Sequence, residues 1–124
     1  DILTTLHKNK SISKYSNSII ETEKKKVSEW LQKEFKDLEY KVVLLDRKIE
    51  KVMQVRKDAF KAFEVVQYLE SKNAKPHEQS LAKTIKKRVE KTLNKQNVQH
   101  LHELELKKEN LEILKLIIEK KLKI

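Results

Sequence analysis

The sequence predicts an all-α fold: an elongated antiparallel helical bundle built around two long helices joined near residues 71–76, with room for a third or fourth shorter helix. Three observations predict it. The 124-residue chain has no glycine and one proline, so it lacks the residue that tight β-hairpin turns and phosphate-cradling loops use for positive φ and close backbone approach. Lys, Glu and Leu, all good helix formers, dominate the composition. The apolar residues recur at steps of three, four and seven, the spacing of one face of a helix. A length of this order fits a single domain, here read as one helical interaction domain over 1–124.

Residues 1–17 carry Ile2, Leu3, Leu6, Ile12 and Tyr15 among turn-prone polar residues, and read as an arm or a short helix. Asn9-Lys10-Ser11 matches a glycosylation acceptor, a triplet that chance produces often. From 18 to 70 a long helix is expected. Leu38, Val42, Leu45, Ile49 and Val52 form a heptad-like seam, while Trp30, Phe35, Val43, Leu44, Val55 and Ala59 widen the stripe towards a bundle face. That width calls for more than one partner helix. At 1.5 Å per residue some 50 residues would run to about 75 Å, far beyond the roughly 14 Å radius of gyration of a compact domain this size, so the sequence predicts a rod unless this helix breaks. Trp30, Phe60 and Phe63 are expected in the core, because aromatic stripes at helical spacing usually pack.

The polar run Ser71-Lys72-Asn73-Ala74-Lys75-Pro76 breaks the pattern. Pro76 suits the first turn of a new helix, where its missing N–H is no loss, and Glu78 complements the positive end of the helix dipole. So short a connection makes the flanking helices antiparallel neighbours. A second long helix is expected over 77–122, with Leu81, Ile85, Val89 and Leu93 on one face and Leu101, Leu104, Leu111, Leu114, Ile118 and Leu122 in a later seam. Asn94-Lys95-Gln96-Asn97 shifts the apolar phase and allows a kink or turn there. The absence of Gly and Pro from this quartet favours a helix that continues through it.

Twenty-nine basic residues against 19 acidic give a net charge of +10, which favours anionic partners. Most of that excess is local. Residues 71–95 hold eight basic side chains against Glu78 and Glu90. At about 100° per residue, Lys83, Lys86, Lys87, Lys91 and Lys95, with Arg88 at their edge, lie away from the apolar face. Lys83, Lys86, Lys87, Arg88, Lys91 and Lys95 are therefore the candidate binding residues, for a partner protein with an acidic patch or for a polyanion such as nucleic acid or a sulfated glycan. A solvated exterior is the plain alternative. The segment has one Arg and no aromatic, which disfavours base-specific readout. The apolar face also admits a second copy of the chain as a homodimer partner.

No catalytic or metal site is expected, and no cofactor. The chain has no cysteine, so thiolate chemistry and Cys-based metal sites are excluded. His100 and His102 are two apart on a helix and point away from each other. No nucleophile elbow, His-Glu-x-x-His segment or EF-hand loop occurs. The carboxylates of the last helix are interleaved with lysines as ordinary surface charges. The longest apolar run, Val42–Val43–Leu44–Leu45, is far short of the roughly 20 residues of a membrane span.

In general character the chain resembles the helical ectodomains of surface lipoproteins from Borrelia spirochaetes: rich in Lys, Glu, Ile and Asn, free of Cys, and beginning at the non-Met residue Asp1. The resemblance is one of composition over the whole chain and assigns no residue a role. It implies a non-enzymatic domain on an extracellular bacterial surface that binds a host protein, such as a complement component, or a host glycan. Coiled-coil segments of intracellular scaffold proteins share the same character.

Overall fold

The computed structural model describes residues 10–71 and 73–123. The fold is all-α: the described residues form three helices, α1 (Lys10–Leu69), α2 (Pro76–Lys95) and α3 (Val98–Leu122). Of the arm expected over 1–17, the stretch from Lys10 belongs to α1, and residues 1–9 lie outside the described residues. The described residues fall into two compact units, one drawn from Asp1–Glu39 with Leu114–Ile124 and the other from Tyr40–Ile113.

In the second unit the chain closes α1 with a tightened turn, Ser71 N–H donating to the Tyr68 carbonyl at 3.2 Å and Ala74 N–H to that of Ser71 at 2.9 Å. Lys75 is extended (φ −73°, ψ 158°), as the residue before a proline must be. Pro76 then opens α2 without a side-chain cap. The pairing is antiparallel. Arg56 reaches Gln96 and Asp46 reaches Lys108, so numbers fall along α1 as they rise along α2 and α3. The core of this unit is thin: Val42, Val52, Ala59, Val66, Ala82, Val89 and Leu104 are buried.

Writing the repeat as abcdefg with the seam at a and d, α1 places Val42, Ile49, Arg56 and Phe63 at a, and Leu45, Val52, Ala59 and Val66 at d. In α2 the seam is Glu78, Ala82, Ile85, Val89, Thr92 and Gln96. Ile85 and Val89 of the expected stripe lie on this seam, and Leu81 and Leu93 do not. Ala82 is fully buried while Leu81 remains 49% exposed, because a row spaced purely by four drifts around the helix and only alternating steps of three and four stay facing the partner.

The helix expected over 77–122 is broken within the quartet 94–97 where the sequence allowed a kink or turn, and it does not continue through: α2 ends at Lys95 and α3 begins at Val98. Continuing the seam beyond Gln96 by steps of three and four would turn Gln99 and Glu103 inward. The break shifts the phase by two residues and puts Leu101 and Leu104 there instead. Asn97 holds the joint. Its Oδ1 accepts from the His100 backbone N–H at 2.7 Å and its Nδ2 donates to the Asn94 carbonyl at 3.0 Å, so one side chain caps the end of one helix and the start of the next. Arg56 Nη1 donates to the Gln96 carbonyl at 2.7 Å, a charge-assisted bond from the facing helix.

In the first unit Leu31, Leu38 and Ile118 are buried. Lys115 occupies a seam position of α3 and bends outward, its Nζ 3.8 Å from Glu39 Oε1 and 5.3 Å from the centre of the Phe35 ring. Tyr15, Ile19 and Ile20, nearer the start of α1, are exposed.

The aromatic core expected from the sequence is not formed. Trp30 is 59% exposed and Phe60 50%, because Trp30 falls at c and Phe60 at e of the repeat. Phe63, at a, is half-buried and lies with its ring centre 6.4 Å from that of Phe60.

Candidate binding faces

The six residues singled out on α2 fall at outward positions of its repeat: Lys83 at b, Lys86 at e, Lys87 at f, Arg88 and Lys95 at g, Lys91 at c. All six are exposed. None of them has a carboxylate within 4 Å among the described residues, whereas Lys108, Lys115 and Lys123 do. The outer side of α2 is thus predominantly cationic, with exposed Glu90 as the one carboxylate among these six side chains and in ion-pair contact with none of them. Lys72, counted with this segment in the sequence, lies outside the described residues.

Large apolar side chains of the same unit are also exposed. Met53 and Phe60 share the e face of α1, at 55% and 50% exposure, and Val65, Tyr68 and Leu81 are exposed as well. Two facing helices cover only the a and d positions and part of their flanks, so a stripe wider than that stays in water. Arg56 partly shields Phe60, its guanidinium carbon 5.4 Å from the ring centre.

The two flanks of the α1–α3 pairing in this unit differ in sign. On the e flank stand Asp46, Glu105 and Glu112. Lys108 leaves its seam position for this flank, with Nζ 2.6 Å from Asp46 Oδ1 and 3.9 Å from Glu112 Oε1. The hydrogen bond to Asp46, with the charges of Asp46, Glu112 and Glu105 behind it, raises the Lys108 pKa despite an opposing desolvation. On the g flank stand Lys48, His100 and Lys107 with Lys51 beside them, around a groove of about 390 Å³ that is also lined by Val52, Leu104 and Gln96. Sequence reading did not single out these residues, because they come from segments some fifty positions apart. Their signal is a like-charge pairing at g on both helices, visible only once the antiparallel register is known.

The histidines behave as separate groups. His100 lines the groove, and His102 is exposed with Nδ1 3.3 Å from Glu105 Oε2. Among the described residues no cluster of three or more His, Asp or Glu side chains is placed to hold a metal ion, and no helix is long and apolar enough to cross a membrane.

No family model matches the chain, and neither the curated proteins nor the solved structures contain a match to it.

Proposed function

We propose that the chain is a non-enzymatic helical module that binds another protein bearing an acidic patch, with Lys83, Lys86, Lys87, Arg88, Lys91 and Lys95 as the encounter surface. One observation carries the reading. The unpaired cationic side of α2 belongs to the same compact unit as exposed Phe60 and Leu81, and Leu81 falls at g of α2 itself, in line with Arg88 and Lys95. Lysines of this kind steer an acidic partner and raise its on-rate, and an exposed apolar side chain in line with them is the kind of group that becomes an anchor on docking. Nucleic-acid sites usually set stacking aromatics among their basic residues, and α2 carries none. The compositional resemblance to spirochaete surface domains makes a host serum protein the first partner class to offer.

The test is affinity capture on the immobilised chain at about 0.15 M salt, where weak surface attraction is screened. Serum and cell lysate are offered, with and without nuclease. A saturable protein partner that survives nuclease supports the module. Retention that nuclease abolishes replaces it with polyanion binding, and no retained partner with a dimer mass for the free chain in sedimentation equilibrium replaces it with homodimerisation.

A further inference from the structure

We infer that the groove between α1 and α3 in the Tyr40–Ile113 unit is a binding site for a small organic oxyanion, a phosphate or sulfate ester with an apolar body. The site is separate from the α2 face, and its residues play no part in the function proposed above.

Antiparallel helix pairs ordinarily set opposite charges at facing flank positions, since like charges there repel. The e flank of this unit obeys the rule through Lys108, which crosses from the seam to neutralise its carboxylates. The g flank does not. Lys48 and Lys51 on α1 meet Lys107 and His100 on α3 around one groove that no carboxylate lines. None of the three lysines has a carboxylate within 4 Å among the described residues, although Lys108, next in sequence to Lys107, has two. Glu103, one turn from both His100 and Lys107, accepts a hydrogen bond from Gln99 Nε2 at 3.2 Å.

The groove is amphipathic. Buried Val52 and Leu104 contribute apolar wall beneath the lysines. At about 390 Å³ it falls in the range of small-molecule pockets, roughly 300–1,000 Å³. Gln96 also lines it, and its Oε1 is buried without a hydrogen-bond partner. Three ammonium groups above an apolar wall match an ester dianion whose organic part enters the groove. Binding relieves the lysine repulsion and stabilises the fold by mass action.

Titration of the ¹⁵N-labelled chain with phenyl phosphate, followed by amide shifts, tests this. The expected result is saturable one-site shifts centred on Val52, Gln96, His100 and Leu104. Lys48→Gln/Lys107→Gln should weaken binding at least about tenfold while circular dichroism stays unchanged, as loss of charge-assisted bonds implies. Lys83→Gln/Lys91→Gln should leave it unaltered. Inorganic phosphate should bind more weakly than the ester. The inference is overturned by shifts that grow without saturation and spread over all lysine-bearing segments, by equal loss in the two double variants, or by inorganic phosphate binding as tightly as the ester.

Discussion

Asn97 should be worth more to stability than its exposed position suggests, because one side chain serves two helix ends. Truncation in Asn97→Ala removes the N-cap bond to the His100 N–H and the bond to the Asn94 carbonyl. Loss of an N-cap costs typically about 1 kcal/mol, and the second bond, open to water, contributes at the low end of the net range, about 0.5 kcal/mol. The expected loss is therefore about 1.5 kcal/mol. For a chain of this length 1 kcal/mol shifts the thermal midpoint by roughly 3–5 °C, so the variant should melt about 5–8 °C lower. Asn97→Asp keeps the acceptor and adds a negative charge at the start of α3, which favours the helix dipole. It should stay within about 0.5 kcal/mol of the parent despite losing the donor to Asn94. Thermal and urea denaturation followed by circular dichroism give both numbers. An Asn97→Ala variant as stable as the parent, or an Asp variant as damaged as the Ala one, would refute the assignment of the joint to this side chain.

Three further outcomes follow from burial and charge. Leu38→Ala should cost about 2–4 kcal/mol as a buried large-to-small change, whereas Trp30→Ala should cost under about 1 kcal/mol at its exposed position; urea unfolding that ranks them in reverse would contradict the seam. Trp30 is the sole tryptophan, and its fluorescence should be quenched by acrylamide nearly as readily in the folded chain as in urea; strong protection would place it in a core. The folded pKa of Lys108 lies above its usual value of 10.5, so the stability from this group is fully present below that value and is lost as pH rises through the higher folded one. Asp46→Asn should therefore lower stability at neutral pH and flatten the alkaline decline relative to the parent; superimposable pH curves would show that the pair contributes nothing.

The helical class, the connection ahead of Pro76 and the seam through Leu38, Val42, Leu45, Ile49 and Val52 could be read directly, because there the apolar spacing and the turn residues agree. The facing side of α2 could not. Its seam runs through Ala82, Thr92 and Gln96, residues that hydropathy passes over, while Leu81 and Leu93 draw the eye to a stripe that drifts away from the partner. Lys108 is hidden for a related reason. A lysine at a seam position reads as surface until its register with Asp46 is known. Trp30 and Phe60 were expected inside because aromatic burial is the common case, yet burial depends on how many helices surround the stripe. That the α2 lysines lie off the buried seam could be read by angle alone, whereas the Lys48–Lys107 groove needs the pairing of two distant segments.

The most direct test of the proposed function is the association rate of the captured protein with the parent chain and with Lys83→Glu/Lys87→Glu/Lys91→Glu, measured at the same salt. The account predicts a fall in the association rate of at least about tenfold on charge reversal, steepest at low salt, with a much smaller change in dissociation. An unchanged association rate would remove the α2 face from the binding of that protein.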